Sequence, residues 1–505
     1  MTTCTHYTDE FLNIHEKAKE LGKGGQGIVY RTKDPNLAIK MVIDAQGEAI
    51  CSPEQVRQYA EKLLRVRLMP LSSDIHISTP VALLKQYAGY VMHLLAEMVP
   101  FDSFWLNKDI SAQMSRAEMP VWLVGDKNQV MDEKQLEDRK KIWHYAKTGG
   151  LRRRLKALHG CADIVAQLHG RGLVYGDISH NNVFISEDLQ HTEVWLIDAD
   201  NLAFDQESAF GVYTPKYGAP ELVQCQDGGR PATDCHAFAV MAFYLLSTVH
   251  PFIGKKVLGG IDDDGDWADS SANANEGGDL DEQAYAGRFP WIYDQHDESN
   301  KAIGGLPPAL ILTSHLSALF QKNFSEGRNN PAQRPVIYHW VNALAQAIDQ
   351  TIECTQCRMS WYADIASLQC PYCQGKKPTI LCLKAYIWQD GLIADQPCWT
   401  FMHELYIDTP VHIPKRVMQD VSSNIAGQYE LQIMRENEKY LHFKKSEFAE
   451  YDLSVAIPDI DQGTFHKMLH QVRVEISKNQ PVVFWLYVHG EYPRVIQGSI
   501  IGAES

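Results

Sequence analysis

The chain has 505 residues, of which 45% are hydrophobic and 22% charged, so it exceeds one typical domain and can bury a core without disulfides. Its formal net charge of −16 argues against nucleic acid as a partner, because phosphates would be repelled and no long Lys/Arg run opposes that field. No apolar stretch approaches the roughly 20 residues that span a bilayer, and the polar start is unlike a signal peptide, so we expect a cytoplasmic protein with no membrane partner.

Residues 16–40 predict a strand, a glycine-rich turn and two further strands. Residues 22–29 read Gly-Lys-Gly-Gly-Gln-Gly-Ile-Val and fit the pattern G-x-G-x-x-G-x-V. Glycines in such a loop let backbone N–H groups approach phosphate oxygens closely. A dinucleotide-binding turn has similar glycines but opens into a helix, whereas residues 28–30 continue as a strand. The predicted nucleotide-binding residues of this segment are Gly22, Lys23, Gly24, Gly25, Gln26, Gly27 and Val29.

The strand that follows ends in Ala38-Ile39-Lys40. A lysine on the strand after a glycine-rich loop can reach the α- and β-phosphates of a nucleotide. We therefore add Ala38 and Lys40 to the predicted nucleotide-binding residues.

Further elements follow along the chain. Residues 52–68 predict a helix with Ser52 as N-cap and Pro53 at its first position, and residues 81–92 predict a strand pair. Residues 107–147 are polar and irregular and predict an insertion of low order. Residues 151–169 have apolar residues at helical spacing, and the nearly all-apolar segment 234–246 predicts a deeply buried helix. The order of the predicted elements, with strands first and helices afterwards, indicates two lobes of different secondary structure.

Two acidic motifs lie between these predicted helices. Asp177 is followed five positions later by Asn182, the spacing of a phosphoryl-transfer loop in which the Asp orients the attacking hydroxyl and the Asn holds a metal. Asp198 ends the strand 194–197, where a carboxylate can bridge Mg²⁺ to the β- and γ-phosphates. Asp200, two residues later, is either a second ligand or a turn residue.

In this order the motifs resemble those of protein kinases over residues 16–350. Segment 22–29 resembles the family's Gly-rich loop, and Lys40 its phosphate-pairing lysine. Asp177 and Asn182 match the catalytic loop, and Asp198 matches the metal-binding Asp. The resemblance therefore implies a bilobal kinase fold that binds Mg·ATP.

Three later positions extend the resemblance. Gly218-Ala219-Pro220-Glu221 resembles the close of the activation segment. Asp234 matches the buried Asp that braces the catalytic loop, and Arg334 matches the late Arg that pairs with Glu221. The resemblance also implies a helix carboxylate paired with Lys40, for which Glu61 is favoured and Glu54 is the alternative.

The departures from the family pattern bear on activity. Tyr175-Gly176 replaces the usual His-Arg before the catalytic Asp, so an anchor for a phosphorylated activation loop is missing. Ser179 replaces the Lys that stabilises the transferring phosphoryl group, and His180 could substitute only partly. The G-D-x-x-x-x-N form is also similar to aminoglycoside and choline kinases. The combination resembles a divergent bacterial branch of Ser/Thr-type kinases, found beside phosphatase and von Willebrand-type partners in stress-response systems.

A cysteine motif follows the kinase-like region. Cys354, Cys357, Cys370 and Cys373 form two C-x-x-C pairs separated by 12 residues, a pattern that places four thiolates around Zn²⁺. A unit as small as 353–377 has almost no core, so metal must supply much of its folding free energy. We predict a structural zinc ribbon. The other cysteines are scattered, as is typical of a reducing compartment.

Beyond residue 377 the sequence predicts a small mixed α/β domain over 378–505. It shows no second catalytic constellation, so we expect this region and the zinc ribbon to recruit a protein substrate or regulatory partner. The predicted elements are strands at 380–388, 429–434, 440–443 and 482–488 and a helix at 464–477.

The complete prediction is an α+β chain with a bilobal kinase-like domain over 16–350, divided into a β-rich N-lobe at 16–98 and a helical C-lobe at 99–350. We expect a Mg-ATP-dependent Ser/Thr-type kinase that transfers the γ-phosphoryl group to a protein hydroxyl. The cofactors would be ATP, Mg²⁺ and Zn²⁺. The alternatives are a nucleotide-binding pseudokinase scaffold, or a kinase-fold enzyme that transfers AMP or phosphorylates a small molecule.

Overall fold

The chain is a mixed α+β protein, which confirms the coarse fold class. It divides into two compact units, the first formed by Met1–Trp105, Lys156–Pro308 and Ser314–Asn342 and the second by Leu106–Leu155, Ala309–Thr313 and Ala343–Ser505. The finer division into lobes, zinc ribbon and C-terminal domain stays a prediction. The computed structural model describes residues 6–25, 27–125, 131–205, 213–259, 280–364, 367–389, 392–419, 429–447, 449, 451–456, 466–468, 470–476, 482–489 and 493–502.

The first unit begins with an antiparallel sheet. Its strands are β1 (His6–Thr8), β2 (Ile14–Lys23), β3 (Gly27–Thr32), β4 (Leu37–Val42), β5 (Ala82–Leu83) and β6 (Gly89–His93). They pair in the order β1-β2-β3-β4-β6-β5, so the predicted strands around the glycine-rich turn and the strand pair near residues 81–92 are confirmed.

Helix α1 (Pro53–Arg67) follows β4. The Ser52 side chain accepts a hydrogen bond from the Gln55 backbone N–H, and Pro53 occupies the first turn, where its missing N–H costs nothing. The predicted helix and its cap are therefore confirmed. The buried face of α1 consists of Leu63 and Val66.

Side chains along β4 alternate between the two faces of the sheet. Ile39 and Met41 lie in one apolar cluster, whereas Ala38 packs in another with Leu63 of α1. Because residues two apart on a strand share a face, Lys40 lies on the same side as Ala38. The sheet therefore turns this lysine towards the face that α1 covers.

Segment 107–147, predicted to be of low order, is helical in its described part, so that prediction is wrong. Asn107 caps the first helix, and Asp132 forms a capping box with Gln135 at the start of the last. Apolar residues of this segment pack around Trp143 in a small core. They are scattered among polar residues without clear periodicity, so the sequence pattern did not predict this core. The helices are α2 (Lys108–Gln113), α3 (Val121–Val124) and α4 (Glu133–Lys147).

Helix α5 (Gly150–His169) comes next, with one short strand before the helices α2 to α5 and four after them. The strands are β7 (Met98–Pro100), β8 (Leu173–Val174), β9 (Val183–Ser186), β10 (Val194–Leu196) and β11 (Ala203–Phe204). Because β9 pairs with β10 and β8 with β11, the loop 175–182 and the loop 197–202 lie side by side. The Ile197 N–H donates to the Asn182 carbonyl at 3.0 Å, which fixes one loop against the other.

The remaining helices of the region are mostly short. The longest of them contains the buried segment predicted over 234–246, so that prediction is confirmed. In the part of the chain that the structure describes, no helix has both the length and the apolar character to cross a membrane. The helices are α6 (Pro220–Val223), α7 (Pro231–Ser247), α8 (Lys255–Leu258), α9 (Leu280–Tyr285), α10 (Pro308–Ile311), α11 (Ser314–Gln321), α12 (Gly327–Asn329) and α13 (Ile337–Ile348).

A buried ion pair fixes α6 in the first unit. The Arg334 guanidinium donates to both Glu221 oxygens at 2.6 and 2.7 Å, and its Nε donates to the Gly327 carbonyl. The two side chains are only 1% and 10% exposed. The pair that the resemblance implies is therefore present, in the bidentate geometry that makes Arg–carboxylate pairs strong.

We expect Glu221→Ala to destabilise the first unit by about 3–5 kcal/mol, because it leaves a buried guanidinium without its counter-charge. Glu221→Gln, which keeps one acceptor oxygen, should cost less. Hydrogen exchange of α6 and α7 in urea measures the change. A loss below about 1 kcal/mol for the alanine variant would mean that water or another group replaces the carboxylate.

The second unit consists largely of strands beyond residue 350. One sheet has the order β15-β14-β24-β23-β20-β21 with β16 paired to β14, another has the order β17-β18-β19-β22, and β12 pairs with β13. These strands are β12 (Thr351–Glu353), β13 (Ser360–Tyr362), β14 (Ile380–Gln389), β15 (Leu392–Ile393), β16 (Trp399–Glu404), β17 (Val411–Pro414), β18 (Tyr429–Glu436), β19 (Tyr440–Lys445), β20 (Asp452–Ala456), β21 (His466–Met468), β22 (Gln471–Glu475), β23 (Val482–His489) and β24 (Arg494–Ile501), and helix α14 is Lys415–Met418.

The two larger sheets share one apolar core. Phe443 of β19 meets Phe484 of β23 edge to face, with ring centroids 5.1 Å apart. The strands predicted near 380–388, 429–434, 440–443 and 482–488 are confirmed.

The helix predicted at 464–477 is wrong, because its described residues form β21 and β22. Along β22, Val474 is buried while Arg473 and Glu475 are exposed. This alternation has period two, the period of a strand with one buried face. The described part of 378–505 is therefore mainly β, with α14 as a short exception.

Candidate functional site

Asp234 of α7 holds the loop that carries Asp177. Its two carboxylate oxygens accept the backbone N–H groups of Tyr175 and Gly176 at 2.8 and 2.9 Å. Nε2 of His169 lies 3.0 Å from the same carboxylate. Gly176 has a φ of +81°, a left-handed conformation that glycine adopts without strain. The brace implied by the resemblance is thus formed by a buried carboxylate and two backbone donors.

Tyr175 ties this loop to the next one. It is fully buried, and its hydroxyl donates to the Ile197 carbonyl, directly before Asp198. Asp198 itself has φ +56° and ψ +52°, a conformation that Asp tolerates better than most residues. Tyr175 therefore aligns the two acidic loops.

Asp177 and Asn182 are in direct contact, as their spacing predicted. The Asn182 Nδ2 donates to the Asp177 carbonyl and to its Oδ2, both at 2.9 Å. Thr214 donates its hydroxyl to the other carboxylate oxygen at 2.6 Å. Burial raises the pKa of Asp177, although both hydrogen bonds oppose the rise. The contact of Thr214 with Asp177 was not predicted, because a single hydroxyl has no motif or spacing that would reveal it.

Lys40 forms the positive centre of the site. It is 2% exposed, and its Nζ lies 2.7 Å from Asp200 Oδ2 and 2.9 Å from Asp198 Oδ1. Burial alone would lower the pKa of Lys40, but Asp200 and Asp198 outweigh it and raise the pKa. Burial also raises the pKa of Asp198. Asp200 is therefore an ion-pair partner of the lysine in this structure, rather than only a turn residue.

Glu61 does not accompany Lys40. The Glu61 side chain is exposed, as is that of the alternative, Glu54, and among the described residues the carboxylates paired with Lys40 are those of Asp198 and Asp200. The reason lies in helix geometry, since Glu61 shares its face of α1 with solvent-exposed neighbours. The lysine thus takes its counter-charges from the loop after β10.

The glycine-rich turn lies between β2 and β3. The Gly24 N–H donates to the Gly27 carbonyl at 2.9 Å. A Cβ on Gly27 would lie 2.8 Å from the Met41 carbonyl and 3.1 Å from Lys40 Cε, so the absence of a side chain there gives the lysine stem its space. Around Gly22, Gly24 and Gly25 a Cβ would meet open space.

The other predicted nucleotide-binding residues are placed by the sheet. Lys23 ends β2, and its Nζ donates to the Gly47 carbonyl at 3.4 Å. Val29 packs against the cluster that contains buried Ala38. Gln26 lies outside the described residues.

Ser179 stands where the kinase resemblance implies a lysine, and His180 follows it. Ser179 is fully buried, and in the described part of the chain its hydroxyl has no hydrogen-bond partner. Nδ1 of His180 lies 2.6 Å from the Tyr217 hydroxyl. Burial lowers the pKa of His180, with Asp102 opposing the shift, which favours the neutral imidazole. His180 is therefore a poorer source of positive charge than a lysine would be.

The four predicted zinc ligands come together in the second unit. Their sulfur atoms all lie within 4.8 Å of one another, with 3.5 Å between Cys354 and Cys373 and 3.6 Å between Cys357 and Cys370. A disulfide needs about 2.05 Å, whereas four thiolates about 2.3 Å from one tetrahedral zinc lie about 3.8 Å apart. The cluster could therefore hold a metal ion of the zinc type.

Two matching turns build this cluster. In each, a residue after the second cysteine has a left-handed backbone, Arg358 and Gln374 both at φ +61°. Backbone N–H groups point at the sulfurs, with Gln356 donating to Cys354 and Tyr372 to Cys370, each at 3.4 Å. Such donors stabilise the negative charge of a metal-bound thiolate.

Comparison of the chain with models of known protein families gives no match, and comparison with curated proteins gives no match either.

Proposed function

We propose that the first unit is a protein-kinase-like domain that binds Mg·ATP and transfers its γ-phosphoryl group to a protein hydroxyl. The observation that carries this proposal is the convergence of Lys40, Asp198, Asp177 and Asn182 on two adjacent loops and one neighbouring strand. These four residues are separated in sequence by up to 158 positions yet form two contacting pairs. Kinases use a lysine at the phosphates, an Asp and an Asn at Mg²⁺ and a second Asp at the acceptor hydroxyl.

A divalent cation fits the acidic part of the site. Asp198, Asp177 and Asn182 carry side-chain oxygens, the ligands that Mg²⁺ prefers. Asp198 adds to the rise in the pKa of Asp177, because the negative charges of the two neighbouring carboxylates repel each other. A cation held by Asp198 and Asn182 would relieve this repulsion and supply positive charge for the transferring group.

The residues of this chain have distinct parts in the proposed reaction. Lys40 pairs with phosphate oxygens beneath the glycine-rich turn. Asp177 accepts the hydrogen bond of the substrate hydroxyl and orients it. Ser179 does not supply the positive charge that the family's lysine provides there, and His180 is a poorer source of it. We therefore expect transfer to be slower than in a kinase that has that lysine.

Two measurements on the purified full-length chain test the proposal. Calorimetry with millimolar Mg·ATP measures nucleotide binding, and incubation with γ-labelled ATP followed by peptide mapping identifies labelled hydroxyls. Binding together with serine or threonine labelling would support the kinase. Mass spectrometry separates it from AMP transfer, since AMP and phosphate add different masses. Absence of nucleotide binding would end the proposal.

The hydrogen bond from Thr214 predicts a pH effect. This bond favours the ionised form of Asp177 and lowers its pKa, so removing it in Thr214→Val raises that pKa further. A carboxylate that must be ionised then loses activity at a higher pH as the solution is acidified. We expect the acidic limb of the kcat/KM profile to move to higher pH in Thr214→Val and to stay unchanged in Thr214→Ser. Coincident profiles for all three proteins would exclude this role.

One observation favours a second candidate, a nucleotide-responsive scaffold without transfer. Lys40 is already neutralised by two carboxylates, and the positive charge expected near Ser179 is missing. Thermal stabilisation by Mg·ATP without labelling of any protein would support this scaffold over the kinase.

A further inference from the structure

The two carboxylates that contact Lys40 differ in their exposure to solvent. Nζ of Lys40 lies 2.7 Å from Asp200 Oδ2 and 2.9 Å from Asp198 Oδ1. The side chain of Asp200 is only 10% exposed, whereas that of Asp198 is 26% exposed. Asp200 is therefore enclosed together with the lysine, while Asp198 is the partner that a ligand can reach more easily.

The sheet encloses the contact between Lys40 and Asp200 from the side of β6. Lys40 on β4 lies directly opposite Tyr90 on β6, and residues paired in this way have their side chains on the same face of the sheet. Tyr90 is fully buried. Burial raises the pKa of its hydroxyl, and the neighbouring Asp200 carboxylate raises it further. The charge of Asp200 is thus held between a buried lysine and a buried tyrosine.

A tight backbone turn fixes the position of Asp200. The residues Ala199–Asn201 form one turn of 3₁₀ helix directly after Asp198, and the Leu202 N–H donates to the Ala199 carbonyl at 3.0 Å. Ala199 and Leu202 are buried, so both ends of the turn are anchored in the core. The carboxylate of Asp200 therefore reaches Lys40 from a rigid segment of the acidic loop.

The donors of Lys40 are sufficient for both the carboxylate and a nucleotide. An ammonium group has three N–H donors, so Lys40 can keep Asp200 and still donate to phosphate oxygens. Asp198 has an oxygen of the kind that a divalent cation prefers. If Asp198 were the only partner of Lys40, the lysine and the cation would compete for the same carboxylate. With Asp200 in place, the lysine keeps a fixed counter-charge when Asp198 turns to a cation.

We propose that Asp200 is the positioning residue of Lys40, in the part that the kinase resemblance gives to a carboxylate on α1. The inference rests on the proposed function. It gives the two acids of the Asp-x-Asp sequence separate tasks, with Asp198 serving the divalent cation and Asp200 serving the lysine. Helix α1 then has no need to supply a carboxylate, in agreement with the exposed side chains of Glu61 and Glu54.

Calorimetric binding of Mg·ATP to the full-length chain tests this assignment. We expect Asp200→Asn to raise the Kd about tenfold, because Lys40 then keeps only Asp198 and competes with the cation for it. Asp200→Glu keeps the charge but moves it by one methylene, so its Kd should lie between those of the wild type and Asp200→Asn. Glu61→Gln and Glu54→Gln remove the carboxylates of α1 and should leave the Kd unchanged.

A double-mutant cycle with Lys40→Met separates positioning from general support of the fold. In the Lys40→Met background there is no ammonium group to position, so Asp200→Asn should change the Kd by less than about twofold. A merely structural role would give the same loss of affinity in both backgrounds. Thermal unfolding of each variant checks that it is folded at the temperature of the binding measurement.

The outcomes separate this inference from the proposed function. If the wild type binds Mg·ATP and Asp200→Asn binds it equally well, or loses the same factor in both backgrounds, the role of Asp200 is overturned while the kinase proposal stands. A loss that persists in Lys40→Met and shrinks as Mg²⁺ is raised would make Asp200 a metal ligand instead. A loss in Glu61→Gln equal to that in Asp200→Asn would also contradict the inference. Absence of binding by the wild type overturns both proposals.

Discussion

Asp198→Asn is expected to reduce phosphoryl transfer about 100- to 1,000-fold, the usual effect of removing a group that stabilises transition-state charge. Asp177→Asn should reduce it about 100- to 10,000-fold, because the proposed base loses its negative charge. Both substitutions keep the side-chain shape, so loss of activity reflects charge. Rates of ³²P transfer to the chain itself and to a generic protein substrate measure the effects.

The control for these variants is Asp188→Asn, which removes an exposed acid from the turn after β9 and should leave transfer unchanged. The two active-site variants should also differ in nucleotide binding. Asp198→Asn should weaken Mg·ATP binding. Asp177→Asn should affect it little, because the proposed partner of Asp177 is the hydroxyl of the protein substrate rather than the nucleotide. Full activity in both variants would contradict the assigned roles.

Removal of metal from the cysteine cluster is the second large expected effect. We expect one zinc ion per chain, and a strong chelator or Cys357→Ser should remove it and unfold the segment around β12 and β13. Structural zinc in small peptides contributes about 10–16 kcal/mol of apparent folding free energy at neutral pH, so the loss should exceed that of any single core substitution. Atomic absorption and hydrogen exchange measure stoichiometry and unfolding.

The contacts of β12 and β13 predict which other segment should lose protection from hydrogen exchange when zinc is removed. The Arg152 N–H donates to Ser360 Oγ at 2.8 Å, and its Nε donates to Thr351 Oγ1 at 2.9 Å. Loss of zinc should therefore also weaken protection at the start of α5. Cys51→Ser, at an exposed cysteine, is the control and should retain zinc. Full protection of both strands in zinc-free protein would contradict the structural role.

Local signals allowed much of the fold to be predicted. Ser52 and Pro53 mark the start of α1, and short apolar runs mark strands such as β14 and β23. The predictions failed in segments whose secondary structure depends on tertiary packing. Segment 107–147 becomes helical because a capping box and a small core around Trp143 stabilise it, and residues near Val474 pair as a strand rather than form a helix.

For a similar reason, only some contacts of the candidate site were predicted. Spacing predicted that Asp177 and Asn182 act together and that the four cysteines form one cluster, since the first two share one loop and each C-x-x-C pair lies in one turn. The partner of Lys40 could not be fixed in this way. The resemblance implied Glu61 as the partner of Lys40, whereas in the structure Lys40 pairs with Asp198 and Asp200.

By itself, the sequence determined the chemical inventory of this protein: the glycine-rich turn, the acidic loops and the two C-x-x-C pairs. Only the tertiary structure decided which carboxylates meet Lys40, since its contact with Asp200 spans a long separation that no motif predicted. The physical reason is that short-range spacing is set by local backbone geometry, whereas long-range pairing depends on which helix face and strand face the whole core buries.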